Sequence, residues 1–182
     1  MRTAVVVVDV QEGLVTGEHA VPDAAAFSAR LDSLLARARA AGVQVVHLQD
    51  DGISPGSPIR RGSVGWELAL RVWAGEDVVP KAEDDGFRGT DLHDVLQASG
   101  VNRLIIVGIQ SEMCVAATAR GAIDHGYAVV LPRDGHTTHD VPSDDRGAIA
   151  VPAAQVSRVA EWSLGDGIEV PAGVADIVDW AG

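Results

Sequence analysis

The sequence is poor in cysteine and in positive charge. Cys114 is the only cysteine among the 182 residues, so the chain cannot form an internal disulfide. A single free thiol is typical of a reducing compartment, and we therefore expect a cytoplasmic protein. Lysine and arginine number 14 against 26 acidic residues, which gives a formal net charge of −12. This balance argues against a nucleic-acid or anionic-membrane partner, because both select a basic patch.

The sequence also lacks a long hydrophobic run. The apolar run at 4–8 ends at Asp9, which makes it too short for a signal peptide. No other run approaches the roughly 20 apolar residues that a membrane-spanning helix requires. The length and the apolar content of 47% suit one domain, over residues 1–182, with a sizeable core.

Predicted strands alternate with predicted helices along the chain. Apolar, mostly β-branched runs predict six strands, at 4–8, 43–48, 78–79, 103–108, 127–131 and 168–170. Periodicity and capping residues predict helices at 22–42, at 90–100, from about 111 onward, at 150–162 and at 172–180. This alternation predicts a three-layer, Rossmann-like α/β fold, in which helices cover both faces of a mostly parallel six-stranded sheet.

Three reactive side chains come at or just after the ends of predicted strands, namely Asp9, Lys81 and Cys114. Ligands of parallel sheets bind beyond the carboxyl ends of the strands, so these side chains would converge there if their strands are neighbours. A Gly-, Pro- and Ser-rich loop at 50–65 is expected to border the same site. Cys114 falls in the first turn of a predicted helix, whose partial positive charge predicts a lowered thiol pKa.

These residue types suit acyl transfer to water. The thiol of Cys114 is the candidate nucleophile, and Asp9 is the candidate base that takes its proton. Lys81 offers a positive charge that would stabilise both a thiolate and a developing oxyanion. Backbone N–H groups at the start of the cysteine-bearing helix would complete an oxyanion hole.

Each of these residues also has a purely structural interpretation. A lone cysteine is commonly a small core residue, Asp9 would suit a loop cap, and Lys81 would suit a solvated surface. His136 and His139 are of a residue type that commonly binds metal ions, but no third ligand is evident nearby. We therefore expect these two histidines to be solvated loop residues.

Six segments of the sequence, taken in order, resemble the isochorismatase-like cysteine hydrolase family. They cover most of residues 3–140, whereas the tail after Asp140 matches poorly. The segments are Val-Val-Asp-Val-Gln (7–11), Pro-Lys (80–81), Gly-Phe-Arg-Gly-Thr-Asp-Leu (86–92), Gly-Ile-Gln-Ser-Glu-Met-Cys-Val (108–115), Ala-Thr-Ala-Arg-Gly-Ala (117–122) and Gly-Tyr (126–127).

The resemblance implies a catalytic triad and an oxyanion hole. The triad would consist of Asp9, Lys81 and Cys114. The peptide bond between Ile109 and Gln110 would be cis, and the backbone N–H groups of Gln110 and Cys114 would bind the oxyanion. The resemblance also implies a homo-oligomer, either a dimer or a tetramer.

The candidate substrate-binding residues are Gln11, Phe87 and Trp66. Core packing is the alternative for the two aromatic residues, because large rings serve both purposes. For Phe87, its position in the family motif favours the pocket.

The implied activity is hydrolysis of a C–N bond in a small-molecule amide, urea or lactam, through a thioester, with release of ammonia or an amine. Family members that cleave the vinyl ether of isochorismate usually lack the cysteine, so its presence here favours amide hydrolysis and leaves vinyl-ether cleavage as the alternative. A redox-sensing or binding protein on the same scaffold also stays open. Nicotinamidases of the family bind a metal through an Asp-x-His pair, whereas His47 here precedes Asp50. We therefore expect no metal and no cofactor.

Overall fold

A computed structural model describes residues 1–180 and confirms the predicted α/β fold. One sheet contains the six predicted strands and a short seventh, and every pairing among the described strands is parallel. The strands are β1 (Thr3–Val8), β2 (Gln44–Asp50), β3 (Asp77–Lys81), β4 (Arg103–Ile109), β5 (Ala128–Val130), β6 (His136–Thr137) and β7 (Ile168–Glu169).

The strand order is β3-β2-β1-β4-β5-β7, with β6 paired to the end of β4. β1 therefore lies next to β4, but β2 separates it from β3. The carboxyl ends of β1, β2, β3 and β4 share one edge of the sheet. The unpredicted strand β6 has only two polar residues, too few for a periodic pattern to be visible in the sequence.

Helices cover both faces of the sheet. They are α1 (Glu12–Val15), α2 (Ala24–Ala40), α3 (Leu92–Ala98), α4 (Ala116–Asp124) and α5 (Ala153–Ser163). The predicted apolar face of α2 is confirmed, because all of its members are buried against the sheet. These members are Phe27, Leu31, Leu34, Leu35 and Ala38.

β1 contributes to the hydrophobic core on both sides of the sheet. Alternate side chains of β1 point to opposite faces of the sheet, and all six residues are buried because both faces are covered. Ala4, Val6 and Val8 pack in the core that includes α3 and α4, whereas Val5 and Val7 pack in the core under α2. The continuous apolar run in the sequence thus reflects a strand that is covered on both faces.

The C-terminal segment contradicts the prediction of a helix at 172–180. Only one short turn forms there, at Val174–Asp176. The guanidinium of Arg37 on α2 donates hydrogen bonds to the carbonyl groups of Val174 and Ile177. A side chain from another element thus pairs with backbone groups that a longer helix would pair internally. No helix among residues 1–180 is long and apolar enough to cross a bilayer.

Candidate active site

The sheet brings the three predicted catalytic residues together, as expected. Lys81 ends β3 and Asp9 follows β1. β2 lies between these two strands, and the Lys81 side chain extends past the end of β2 to Asp9. The Lys81 ammonium nitrogen Nζ lies 2.8 Å from Oδ2 of Asp9 and 3.3 Å from Sγ of Cys114. Nζ also lies 2.8 Å from Oδ2 of Asp50, the last residue of β2.

The cysteine is presented by an irregular turn. The Ile109–Gln110 peptide bond is cis, which confirms that prediction. A wide, π-helical turn over Ser111–Val115 follows, and α4 begins only after it. Met113 has non-helical dihedral angles, with φ −107° and ψ −106°. Cys114 therefore lies in a kinked turn before α4, not in the first turn of a regular helix.

Lys81 is fully buried, so the interpretation as a solvated surface lysine is wrong. Besides its ion pairs, Nζ donates a hydrogen bond to the carbonyl of Glu83 at 3.1 Å. Burial alone would lower the pKa of Lys81, but the charge of Asp9 and the hydrogen bond to Asp50 outweigh it and raise the pKa above its ordinary value. Lys81 is therefore a permanent cation inside the site.

Asp9 is buried and has a left-handed backbone, with φ +50°. Burial raises the pKa of its carboxyl group to about 6, although the neighbouring Lys81 cation opposes this effect. One carboxylate oxygen lies within 4.8 Å of the Cys114 sulfur. Asp9 is therefore a stronger base than an ordinary aspartate and lies close to the thiol.

The predicted lowering of the Cys114 pKa is wrong for the free site. Burial and the carboxylate of Asp9 raise the pKa of the thiol above its ordinary value, and the opposing effect of Lys81 is smaller. The carboxylate of Asp84 also lies 3.8 Å from the sulfur. The sequence prediction considered only the charge of a helix start, whereas the folded chain also places acidic groups around the sulfur.

Asp9, Asp50 and Cys114 have the spacing of a metal site, since one ligand atom from each lies within 4.8 Å of the other two. The Lys81 ammonium already pairs with both carboxylates and contacts the sulfur. A metal ion would have to displace this buried cation. The lysine thus supplies the positive charge that this donor set would otherwise take from a metal.

A cavity of about 890 Å³ opens above these residues. Asp9, Asp50 and Cys114 line it, together with the segments at 52–59 and 82–85. The expectation that the loop at 50–65 borders the site is confirmed. A small organic molecule can therefore reach the cysteine.

The predicted substrate-binding residues do not lie on the wall of this cavity. Gln11 is fully buried. Its side-chain amide makes two hydrogen bonds of 3.0 Å to the backbone of Asp50, since Nε2 donates to the carbonyl and Oε1 accepts from the N–H. Phe87 stacks on His125 in the core, with ring centroids 4.7 Å apart. The guanidinium of Arg61 lies 5.8 Å from the centre of the Trp66 ring. These positions favour packing and positioning over substrate contact.

Asp50 is a member of the site that the sequence analysis did not assign. The available signal was its place at the end of the strand between those of Asp9 and Lys81, but the strand order is not visible in one sequence. The expectation of solvated loop histidines is wrong for His136 but not for His139, which is half-exposed. His136 is buried, and His139 lines the cavity, where its Nδ1 accepts a hydrogen bond from the Gln110 side chain at 2.7 Å.

Known protein families and sequences resemble this chain over most of its length. The family model described as an isochorismatase domain matches residues 3–162, which includes all of α5 except its last residue and so extends beyond the resemblance seen in the sequence. Two streptothricin hydrolases from Streptomyces noursei are 53% and 52% identical to the chain over 169 residues. Each match covers 92% of this chain, but only 61% and 67% of the respective relative, so the chain spans about two thirds of their length or less.

Two further similarities involve more distant proteins. A ureidoacrylate amidohydrolase from Agrobacterium fabrum is 32% identical over 184 residues, which cover 79% of this chain and 78% of the relative. The crystal structure of a cysteine hydrolase from Pseudomonas syringae pv. phaseolicola superimposes with a TM-score of 0.85 at 30% identity. That superposition covers 97% of this chain and 90% of the other.

Proposed function

This chain belongs to the isochorismatase family, and on that premise we propose that it hydrolyses a C–N bond in a small amide, urea or lactam. The reaction passes through a thioester on Cys114 and releases ammonia or an amine. The observation that carries the proposal is the buried Lys81 ammonium, which pairs with Asp9 and donates to Cys114, two residues that line an open cavity. The relatives named streptothricin hydrolase support a hydrolase, and the relative named ureidoacrylate amidohydrolase supports an amide as the bond that is cleaved.

The first half of the reaction forms the thioester. Asp9 takes the thiol proton as the Cys114 sulfur attacks the carbonyl carbon, and the C–S bond forms. The carbonyl π electrons move to oxygen, where the backbone N–H groups of Gln110 and Cys114 stabilise the negative charge. When the oxyanion collapses, the C–N bond breaks and the leaving nitrogen takes the proton from Asp9.

The second half releases the acid. Asp9, again a carboxylate, removes a proton from water as the water oxygen attacks the thioester carbonyl. The C–S bond then breaks, and the sulfur recovers the proton from Asp9. The product is a carboxylic acid, or a carbamic acid when the substrate is a urea, and the thiol and the carboxylate are restored.

Lys81 makes the proton transfer between Cys114 and Asp9 feasible. Moving the proton from sulfur to carboxylate leaves the total charge of the buried cluster unchanged, and the cation contacts the negatively charged atom on either side of the transfer. A thiol with a raised pKa can therefore act as a nucleophile, because its proton has an acceptor within the site. This arrangement also argues against a redox sensor, which needs neither Asp9 nor Lys81.

The experiment is a screen for ammonia or amine release over small amides, ureas and lactams. Streptothricin is included because two relatives are streptothricin hydrolases. The Cys114→Ala variant is the control. We expect release by the wild-type protein alone, together with a mass increase on Cys114 that equals the acyl part of the substrate. Equal release by both proteins would refute the nucleophile, and vinyl-ether cleavage of isochorismate without amide hydrolysis would establish the alternative.

We further propose that residues 1–182 form one domain that acts in the cytoplasm as a homo-oligomer, a dimer or tetramer. Two hydrophobic cores on opposite faces of one sheet support the single domain, and the free thiol supports the compartment. An apolar groove that includes Val141, Val151, Val156 and Val159 supports association between copies. A monomer mass in light scattering at micromolar concentration would refute the oligomer.

A further inference from the structure

A second chain of polar residues lies beneath the turn that carries Cys114. The Ser111 hydroxyl Oγ is 2.8 Å from Nδ1 of His136 and 2.9 Å from the hydroxyl of Ser157. On the other side of the imidazole ring, Nε2 of His136 is 3.6 Å from a carboxylate oxygen of Glu161. We call Ser111, His136 and Glu161 the buried relay. None of the reaction steps proposed above uses any of its members.

The buried relay has the composition of a serine hydrolase triad, but its position excludes that role. All three residues are at least 95% buried. The Ser111 hydroxyl is already bonded to both His136 and Ser157, and Ser111 does not line the cavity that reaches Cys114. A substrate carbonyl therefore has no path to this hydroxyl, and the buried relay must act through its neighbours.

Ser111 is placed to control the catalytic turn. It directly follows Gln110, whose N–H is a proposed oxyanion donor, and it begins the kinked turn that ends with Cys114 and Val115. Within this turn, the N–H groups of Met113 and Val115 donate to the carbonyl of Gln110 at 3.1 Å. Because the helical pattern is broken at Met113, the turn depends on contacts from outside to fix its orientation.

Those outside contacts come from two elements of the C-terminal part of the chain. His136 lies on β6, which pairs with β4 at Gly108, just before the cis peptide bond. Ser157 and Glu161 lie on α5. The buried relay thus ties the start of the catalytic turn to one strand and one helix.

The charges around Glu161 set the direction of these hydrogen bonds. Nε of Arg133 lies 3.2 Å and a guanidinium nitrogen of Arg158 lies 3.5 Å from one of its carboxylate oxygens. The ionised carboxylate favours a proton on Nε2 of His136, which leaves Nδ1 to accept a hydrogen bond from the Ser111 hydroxyl. The Ser111 oxygen then accepts from the Ser157 hydroxyl, so each of these groups has one defined role.

We propose that Ser111, His136 and Glu161 are positioning residues, which hold the Gln110 and Cys114 N–H groups in the geometry that binds the oxyanion. The proposal rests on the proposed function, since it assumes that Cys114 forms an acyl intermediate. It differs from a merely structural role in one respect. Loss of the buried relay should impair reactions that form an oxyanion more than reactions at the sulfur that form none.

Two reagents separate these cases. Para-nitrophenyl acetate acylates the sulfur through an oxyanion intermediate and releases para-nitrophenolate. Iodoacetamide alkylates the same sulfur by direct displacement of iodide, with no oxyanion. Because Cys114 is the only cysteine, both rates report on one atom. Loss of both reactions in Cys114→Ala would establish the nucleophile, and their persistence there would refute the proposed function independently of the buried relay.

The test variant is Ser111→Ala. We expect acylation to slow by about tenfold to 100-fold, the usual consequence of misplaced catalytic groups, while alkylation stays within about threefold of wild type. Ser111→Thr keeps the hydroxyl and should restore acylation. The matched control is Tyr127→Phe, which also removes a hydroxyl that is bonded to a histidine Nδ1, at 3.0 Å from His93, but away from the catalytic turn. This control should leave the ratio of the two rates unchanged.

Two results would overturn the proposal. One is a folded Ser111→Ala protein that is acylated within about threefold of the wild-type rate. The other is an equal decrease in acylation and alkylation. If Ser111→Ala does not fold, Glu161→Gln tests the same prediction, because it removes the charge that orients His136. An unchanged ratio of the two rates in that variant would also refute the proposal.

Discussion

The pH dependence of acylation tests the proposed role of Asp9. Burial raises the pKa of this carboxyl group to about 6, from an ordinary value of 3.8. Only the carboxylate can take the thiol proton, so the rate should follow the ionised fraction of Asp9. The rate should therefore be half of its maximum near pH 6, approach its full value above about pH 7, and be lost as the pH falls through the folded-state pKa.

The expected magnitude at pH 5 separates the two pKa values. With a pKa of about 6, roughly a tenth of Asp9 is ionised at that pH, whereas an ordinary aspartate would be roughly nine tenths ionised. The assay is the second-order rate of acylation by para-nitrophenyl acetate between pH 4.5 and 7.5. A rate that stays flat down to pH 5 would refute the assignment of Asp9 as a buried base.

A pair of neighbouring aspartates sharpens this test. The charge of Asp50 raises the pKa of Asp9, so Asp50→Asn should move the acid limb of the profile to lower pH. Asp51 pairs instead with Arg61 at 3.0 Å, so Asp51→Asn is the matched control and should leave the limb in place. Equal shifts in both variants would mean that net charge, and not the cluster around Lys81, sets the profile.

Three further predictions concern the buried cluster. Cys114→Ala should abolish turnover while circular dichroism and thermal unfolding stay close to those of the wild type; retained turnover would refute the nucleophile. Asp9→Asn and Lys81→Met should each lower turnover by about 10²–10⁴-fold, and the double variant should be little worse than the worse single one, because the residues share a step. Strictly multiplicative losses of turnover would show that the two residues do not act in the same step. Dialysis against a chelator should leave the rate unchanged, because Lys81 supplies the cation; a loss that zinc or iron restores would show that a metal takes part.

The sequence predicts the fold and the catalytic candidates because both depend on strand ends. A strand buried on both faces has an unbroken apolar run, as at 4–8, so the position where it ends is visible in the sequence. Asp9, Lys81 and Cys114 were found in this way, and the family motif supplied the cis peptide bond. These features depend on residues that are close together in the chain, so they can be recognised in the sequence without the tertiary structure.

The features that the sequence misses depend on contacts between distant segments. Asp50 enters the site only because β2 lies between β1 and β3. The raised thiol pKa arises from burial and from a carboxylate that is more than a hundred residues away in the chain. Likewise, Arg37 donates hydrogen bonds to backbone carbonyl groups of the C-terminal segment, where the expected helix does not form. The hydrophobic periodicity of the sequence gives no information about such contacts.

The strand order has a consequence for synthesis of the chain. β1 and β2 can pair early, but the other edge of β1 must wait for β4, which ends at Ile109. At about 5–20 residues per second, this edge of a valine-rich strand stays open for roughly 5–20 s after β1 has been made. An open, apolar strand edge is a template for pairing with other chains. The ribosome-bound intermediate is therefore the form of this protein that most needs protection by a chaperone.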